Sequence, residues 1–254
     1  MRLAIYSDLH LEFIPLGDRP APPLPDDADV VVLAGDIHQG ILGLQWAKYE
    51  WPGLPIVFVP GNHEFYGAHL FEALAEMRQV AERLGIHLLA NNVATLGDVR
   101  FLGTPLWTDF SLAGTPHDSA LDARCDISDF RRIRENNGCL TTNTMAQLNR
   151  EARAFLREEL QKPWAGKTVV VTHWLPHPDC IAPQFRESEL SPYFCCDCSD
   201  LLNDFNIDVW AYGHSHGSGD FVHPSGCRII SNQRGYPSES AVANGFRRDC
   251  VVEI

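Results

Sequence analysis

The chain has 254 residues, of which 45% are hydrophobic, and its formal net charge is −13 at pH 7. A chain of this size and composition can bury one sizeable core, so we expect a single domain over 1–254. The acidic balance argues against general binding to nucleic acids or anionic membranes, which requires a basic face. It does not exclude an anionic small molecule held in a metal-lined pocket.

The amino terminus and the apolar runs indicate where the protein acts. The opening residues MRLAIYSDLHLEF are interrupted by Ser7, Asp8 and His10, which is unlike the continuous apolar stretch of a signal peptide. No apolar segment of the sequence is long enough to span a bilayer. We therefore expect a cytoplasmic protein that does not bind membranes and whose eight cysteines are reduced.

Short apolar runs alternate with helical patterns along the chain. Five runs are rich in β-branched residues and are typical of strands buried on both faces: RLAIYS, DVVVLAG, LPIVFVPG, KTVVVTH and IDVWAYGH. Helices are predicted in GILGLQWAKYEW and in AHLFEALAEMRQVAERLG, the second one ending at Gly85. A third helix is predicted over 144–161, with one apolar face made of Met145, Leu148, Ala152, Phe155 and Leu160.

The remaining segments predict smaller elements. Further strands, several of them antiparallel, are predicted in VATLG, VRFLG, GDFVHP, CRIIS and CVVEI. The stretch 108–140 predicts an irregular or helical insertion, or a lid. The alternation of strands and helices predicts an α/β fold, and the sequence pattern by itself suggests one open sheet.

Polar residues that can bind metals follow each of the five long strands. In chain order they are Asp8 and His10, then Asp36, then Asn62 and His63, then His173, and finally His214 and His216. A single histidine of this kind is more often a hydrogen-bonded structural residue. Ligands in α/β sheets bind outside the carboxyl ends of the strands, so five such segments together predict one shared site. Asp, Asn and His ligands without a thiolate favour Mn, Fe, Zn, Co or Ni over a cysteine-based structural zinc.

The spacing of these residues carries a family resemblance. The order Asp8-x-His10, Gly35-Asp36, Gly61-Asn62-His63-Glu64, His173 and Gly213-His214-x-His216 resembles the motifs of the calcineurin-like metallophosphoesterase superfamily. All five motif blocks occur in order between residues 8 and 216. The resemblance implies two mixed β-sheets packed as a sandwich and flanked by helices, with a dinuclear metal site at the carboxyl ends of strands. The segment GDIHQG lacks the Asp-Arg-Gly continuation of the phosphoprotein phosphatases, so the chain resembles the smaller, mostly bacterial branch instead.

The resemblance also implies a role for each motif residue. One metal ion would be bound by Asp8, His10 and His216. The other ion would be bound by Asn62, His173 and His214. Asp36 would bridge the two ions, which would be divalent or trivalent Mn, Fe or Zn. His63 would stand beside the metals without binding them and would donate a proton to the departing oxygen, while Asn62 could also reach a phosphate oxygen.

This arrangement predicts a specific chemistry. Two cations about 3.5–4 Å apart lower the pKa of a bridging water and clamp both the attacking and the leaving oxygen. We therefore expect hydrolysis of a phosphodiester or phosphomonoester by a metal-bridging hydroxide, with a small molecule or nucleotide as substrate. A general acid such as His63 typically contributes about 10²–10⁴-fold to the rate.

Several other residues are weaker candidates. Glu64 could orient an imidazole or form a surface salt bridge. His38, Trp107 and Arg234 could contact the substrate, although a loop histidine, a core tryptophan and a turn arginine explain them as well; Tyr236 ranks below Arg234. Arg131, Arg132 or Arg134 could hold a phosphate, although an arginine cluster is more often a solvated face with acidic neighbours, here Asp129 and Glu135.

The cluster Cys195, Cys196 and Cys198 contains a CxxC spacing but lacks the second pair that a structural metal site usually has. We therefore expect free thiols close to the start of a helix.

Two alternative functions belong to different classes. One is a binding scaffold with the same fold and no catalysis, which the complete set of expected ligands and His63 disfavours. The other is a nuclease, which the acidic balance disfavours. The sequence makes no prediction of the oligomeric state.

Overall fold

The computed structural model describes residues 1–19, 21–25 and 27–254. Its strands in chain order are β1 (Arg2–Tyr6), β2 (Val30–Ala34), β3 (Ile56–Val59), β4 (His87–Leu88), β5 (Asn92–Leu96), β6 (Val99–Gly103), β7 (Arg134–Glu135), β8 (Gly138–Cys139), β9 (Lys167–Val171), β10 (Val209–Tyr212), β11 (Asp220–Val222), β12 (Arg228–Ser231) and β13 (Val251–Glu253). All ten strands predicted from the sequence are among them.

The strands form two large mixed sheets. The first has the order β13-β1-β2-β3-β4, in which β1 to β4 are parallel and β13 runs antiparallel to β1. The second has the order β11-β12-β10-β9-β6-β5, with four parallel central strands and an antiparallel strand at each edge. The two-sheet architecture implied by the family resemblance is confirmed, and the single open sheet suggested by the strand pattern alone is wrong.

Both faces of each sheet are buried, as the continuous apolar runs predict. Leu3 and Ile5 of β1 belong to an apolar cluster shared with residues of the second sheet, such as Phe101 and Val169. Alternate residues of the same strand, Ala4 among them, belong to the larger cluster that includes the helices. Successive side chains of a strand point to opposite faces, so each central strand packs against the other sheet and against helices at the same time.

The helices cover the outer faces of the two sheets. They are α1 (Leu42–Glu50), α2 (Leu70–Leu84), α3 (Pro116–Asp126), α4 (Asp129–Arg132), α5 (Thr142–Gln161), α6 (Ser191–Phe194) and α7 (Ser199–Asp204). Helix α2 ends at Gly85, whose φ of 65° is the left-handed conformation that the sequence predicts there. Helix α5 buries Asn149 and Leu156, whereas the predicted face residues Leu148 and Phe155 are only half-buried.

The stretch 108–140 contains α3, α4, the hairpin of β7 and β8, and a single 3₁₀ turn at Ser111–Ala113. It is therefore mostly helical. The cysteines Cys195, Cys196 and Cys198 are buried thiols just before α7, and the described residues form no disulfide. In the part of the chain that the structure describes, no helix is both long and apolar enough to cross a membrane.

Candidate metal centre and active site

The segments that follow the five long strands meet where the carboxyl ends of the two sheets come together. β1, β2 and β3 are parallel in one sheet and β9 and β10 in the other, so each set delivers its loops to one edge. Backbone hydrogen bonds join the loops, since Asp8 N–H donates to Gly35 O at 3.0 Å and Gly213 N–H donates to His173 O at 3.0 Å. The structure thus brings together the residues predicted as metal ligands, which are Asp8, His10, Asp36, Asn62, His173, His214 and His216.

The backbone of this region is strained. Five predicted ligands have a positive φ: Asp8 (53°), His10 (46°), Asp36 (55°), His214 (81°) and His216 (54°). Such values are uncommon outside glycine, and each costs on the order of 1–3 kcal/mol unless the surroundings impose it. Here hydrogen bonds impose it, because His214 N–H donates to Asp8 Oδ1 at 3.0 Å and His216 N–H donates to Gln233 Oε1 at 2.6 Å. Strain of this kind is typical of functional sites.

Gly61 occupies a position where no side chain would fit. A Cβ atom there would lie 2.7 Å from His173 Nε2 and 2.7 Å from Asp36 N. Atoms in protein interiors do not pack that closely without displacement of their neighbours. The glycine that precedes Asn62 therefore allows the loops of β2, β3 and β9 to approach each other.

The first ligand cluster consists of Asp8, His10 and His216, whose ligand atoms all lie within 4.8 Å of one another. The Nε2 atoms of the two imidazoles are 2.9 Å apart. Each Nδ1 lies against a carboxylate, that of His10 at 3.2 Å from Glu12 Oε1 and that of His216 at 2.9 Å from Glu239 Oε2. A proton on each Nδ1 would be donated to its carboxylate, which would leave both Nε2 lone pairs pointing into the same space, and this suits a metal ion.

The second cluster consists of Asp36, His173 and His214, again with ligand atoms within 4.8 Å. His173 Nδ1–H donates to Ala34 O at 2.8 Å, which turns Nε2 inward to 3.2 Å from Asn62 Oδ1. His214 Nε2 is buried and has no hydrogen-bond partner among the described residues. A buried nitrogen of this kind is costly unless something satisfies it, and a metal ion would do so.

Asp36 lies between the two clusters. Its Oδ1 is 3.4 Å from His173 Nε2 and its Oδ2 is 3.9 Å from His10 Nε2, so one oxygen faces each cluster. Burial lowers the pKa of His173, but the Asp36 carboxylate more than offsets this and raises it to about 9. The site therefore favours positive charge at this point, and a bound cation could supply that charge in place of the proton. The donor set, the unpartnered nitrogen and this charge preference together fit two metal ions.

His63 stands beside the clusters and is held by two further residues. Its Nδ1 is 2.7 Å from Glu12 Oε1, and its Nε2 is 3.2 Å from the hydroxyl of Tyr236. Burial lowers the pKa of His63, but the carboxylates of Asp36 and Glu12 more than offset the burial and raise it above its usual value. The pKa of His63 is thus raised although the side chain is only 3% exposed.

Glu64 does not perform either of its predicted roles. The side chain is fully buried, and its carboxylate accepts hydrogen bonds from the backbone N–H groups of Asp36, Ile37, His38 and Gly61 at 2.7–3.4 Å. It therefore neither orients an imidazole nor forms a surface salt bridge. Burial and the nearby Asp36 carboxylate raise the pKa of Glu64 to about 7. The residue fixes the loop after β2 to the loop after β3.

Asp129 fixes the side chain of Asn62. The Asn62 amide donates to Asp129 Oδ1 at 2.9 Å, and the same carboxylate accepts from the hydroxyls of Tyr66 at 2.7 Å and Tyr193 at 2.6 Å. Because Nδ2 is occupied in this way, Asn62 Oδ1 is the atom that faces His173. Among the described residues neither Asp129 nor Glu135 forms an ion pair with these three arginines, and Arg131 donates to backbone carbonyls instead.

The three weaker candidates for substrate contact lie outside the cleft at the clusters. His38 is 5% exposed, with Nε2 2.9 Å from Arg19 Nη1. Trp107 is 3% exposed and packs against Trp174 with ring centroids 4.5 Å apart, which favours the core interpretation. Arg234 donates to Leu9 O in the loop after β1. None of these three is among the described residues that line the cleft at the clusters.

A cleft of about 530 Å³ opens above the two clusters. Asp36, Asn62, His63, His214 and His216 form its polar floor. One wall is formed by 126–129 of the helical insertion, and another by the segment 181–194. Tyr236 also lines the cleft, so of the pair Arg234 and Tyr236 it is the tyrosine that reaches the site.

Sequence reasoning missed four residues that contact the site: Glu12, Asp129, Glu239 and the wall residue Phe194. Glu12 gave a local signal, because it lies two positions beyond His10 and the 3₁₀ turn Leu11–Phe13 folds it back. The other three come from distant parts of the chain and gave no local signal.

Comparison with known proteins identifies the family. Residues 1–218 match the model of a protein family described as calcineurin-like phosphoesterase. The chain therefore belongs to the calcineurin-like phosphoesterase family, whose members are metal-dependent hydrolases of phosphate esters with a dinuclear metal centre.

Individual relatives span almost the whole chain. It is 28% identical to uncharacterized protein L509 of Acanthamoeba polyphaga mimivirus over 283 aligned positions, covering 100% of this chain and 97% of the viral protein. Its fold is similar to that of phosphopantetheinyl hydrolase from Mycobacterium tuberculosis, with a TM-score of 0.73, 19% identity, and 92% and 89% of the two chains covered. A dimetal phosphatase from Danio rerio gives a TM-score of 0.53 at 15% identity, with 92% and 87% covered. Both structures are similar in fold.

Proposed function

We propose that the protein hydrolyses a phosphate ester of a small molecule at a centre of two metal ions, Mn, Fe or Zn. The observation that carries the proposal is the pair of ligand clusters with Asp36 between them and His63 beside them, where the carboxylates of Asp36 and Glu12 raise the pKa of His63. In this proposal one ion is held by Asp8, His10 and His216. The second ion is held by Asn62, His173 and His214. Asp36 would be shared by the two ions, since one of its oxygens faces each cluster.

The metal ions would lower the pKa of bound water and neutralise charge on the phosphoryl oxygens. The chain itself would orient the reacting groups. Glu12 and Glu239 hold the protons on Nδ1 of His10 and His216 and so keep each Nε2 available as a ligand. Asp129 holds the amide of Asn62 so that its Oδ1 points at the cluster.

His63 is proposed as the general acid. Glu12 accepts the Nδ1 proton, so that Nε2–H faces the cleft, where the Tyr236 hydroxyl lies 3.2 Å away. A departing oxygen at that point would receive the Nε2 proton, and the positive charge of the imidazolium is stabilised by Glu12. Glu12 acts through His63 and is a positioning residue.

The domain arrangement is part of the proposal. The chain 1–254 would form one catalytic domain in which the insertion 108–140 is a wall of the cleft. Two observations support this: Asp129 contacts Asn62, and the residues at 126–129 line the cleft.

The proposal is tested by hydrolysis of bis(p-nitrophenyl) phosphate and of a dialkyl phosphodiester with added Mn²⁺, Zn²⁺ or Fe²⁺. We expect metal-dependent turnover of the protein on both esters. The variant His63→Ala should bind its metals and hydrolyse the aryl ester, whose leaving group needs little protonation. On the dialkyl ester it should lose about 10²–10⁴-fold. Equal losses on both esters would remove His63 from the proton transfer, and no turnover with any metal would refute the function.

A further inference from the structure

Part of the cleft lining away from the ligand clusters is apolar, and we call this part the apolar arm. We define this arm by the apolar residues that line it: Ile127, Leu175, Ile181, Phe185, Leu190 and Phe194. Phe185 is 48% exposed, and Ile127, Leu190 and Phe194 are half-buried. These side chains therefore leave apolar surface open to a ligand, and ligand pockets are lined predominantly by apolar side chains of this kind.

The apolar arm begins directly at the second ligand cluster. The ring of Phe194 lies 4.9 Å from that of His214, and the ring of Tyr193 lies 5.2 Å from it. A phosphate held at the clusters would thus place one of its ester substituents against the apolar arm without any change in the fold.

The charges around the cleft exclude many substituents. Its charged lining residues away from the ligands are acidic, namely Asp126, Asp129 and Glu239, and no lysine or arginine is among the described residues that line it. The guanidinium of Arg132 stacks over the ring of Tyr66 at 4.4 Å and is not part of the lining. A second anionic group on the substrate would therefore be repelled by these carboxylates, and no lysine or arginine of the described lining would neutralise it.

We infer that the apolar arm is a binding subsite for an uncharged, alkyl-like substituent of the phosphate ester, so that the substrate class is a phosphodiester whose only negative charge is at the phosphorus. This inference rests on the proposed function. The subsite selects against nucleoside polyphosphates and other polyanions, because the charged lining residues apart from the histidines are all carboxylates.

A series of alkyl p-nitrophenyl phosphodiesters tests the subsite with the metal-loaded protein. Methyl, butyl and hexyl esters share one leaving group, so only the second substituent changes. We expect kcat/KM to rise by about fourfold for each methylene that becomes fully buried. A 5-carboxypentyl ester, matched in length to the hexyl ester, should be at least tenfold slower than it. A flat chain-length series, or a faster carboxylated ester, would overturn the inference while leaving the hydrolytic function intact.

Two variants localise the effect. In Phe185→Ser the hexyl-to-methyl ratio of kcat/KM should fall at least fivefold, mainly through KM, while the methyl ester changes less than twofold. Phe71→Ser is the matched control, because Phe71 is 50% exposed on α2 outside the cleft. An unchanged ratio in Phe185→Ser would show that the alkyl substituent binds elsewhere, which would contradict the inference.

Binding without turnover separates the subsite from the function. Hexylphosphonate should bind the metal-loaded protein more tightly than methylphosphonate by calorimetry, and Phe185→Ser should reduce that difference at least fivefold. Chain-length-dependent binding without hydrolysis of any ester would support the subsite and refute the proposed function. Equal affinities for the two phosphonates would refute the subsite.

Discussion

Three histidines of the metal clusters have one ring nitrogen fixed by an oxygen and the other directed inward. For His10 and His216 the fixing groups are carboxylates, and for His173 it is the Ala34 carbonyl. The motif pattern predicted the histidines, because their order along the chain is family-specific. It did not predict their partners, because Glu239 reaches His216 only through a distant loop. The residues that fix a tautomer are set by the fold.

Replacement of Glu12 by Gln tests the coupling to His63. The amide removes a negative charge that raises the pKa of His63, so that pKa should fall and the alkaline limb of the kcat/KM profile should move to lower pH. We expect kcat on a dialkyl phosphodiester to fall about 10–100-fold, with a much smaller change on the p-nitrophenyl ester. Glu72→Gln on α2 is the control and should behave as the parent protein. An unshifted pH profile in Glu12→Gln would contradict the role given to Glu12.

Gly61→Ala should disrupt the metal centre without unfolding the domain. The new methyl group would collide with His173 and Asp36, so these side chains must separate. We expect the purified variant to hold less than half of the metal of the parent protein by elemental analysis. Gly53→Ala provides a matched control, because a Cβ atom at Gly53 meets nothing within 4 Å. Full metal content in Gly61→Ala would show that the loops can accommodate the methyl group without displacing the ligands.

The strands and their following loops are the elements that build the site. Continuous apolar runs predicted β1, β2, β3, β9 and β10 correctly, because strands buried on two faces need apolar residues at every position. The face of α5 was predicted only in part, since Leu156 is buried where Phe155 was expected to be. Helical periodicity does not decide which of two neighbouring residues at the edge of an apolar face is buried. Tertiary contacts decide it.

Glu64→Gln tests how the loops after β2 and β3 are held together. An amide can accept with one atom only, so at least two of the buried backbone N–H groups would lose their acceptor. We expect the free energy of unfolding, measured by urea denaturation, to fall by about 2–5 kcal/mol. Glu76→Gln on the exposed face of α2 should change it by less than about 0.5 kcal/mol. A similar small effect for both variants would mean that Glu64 does not fasten the loops.

The whole molecule is acidic, and its two ligand clusters contain carboxylates at the rim between the sheets. Asp8 and Glu12 are placed there by the segment after β1, and Asp36 by the segment after β2. Their mutual repulsion is relieved when cations bind, so the folded state should be stabilised by metal. This coupling belongs to the complete sandwich, because no single sheet contributes all of the ligands.

Removal of metal should therefore lower the stability of the protein. At a free metal concentration one hundred times the dissociation constant, binding contributes about 2.7 kcal/mol per site. We expect excess chelator to lower the Tm of the metal-loaded protein, measured by differential scanning calorimetry, and re-addition of Mn²⁺ to restore it. Asp36→Ala should show a much smaller response to either treatment. A Tm that is the same with and without chelator in the parent protein would contradict the metal centre.

The sequence by itself determined the order of the motifs along the chain, the family and the set of candidate ligands. These depend on short segments whose pattern is local. Only the tertiary structure decided that the strands divide between two sheets, that Glu64 binds backbone amides, and that Asp129 holds Asn62. It also decided that Trp107 packs in the core and that an apolar arm adjoins the clusters. These features depend on contacts between residues far apart along the chain, and local pattern carries no information about which distant partner a buried polar group will meet.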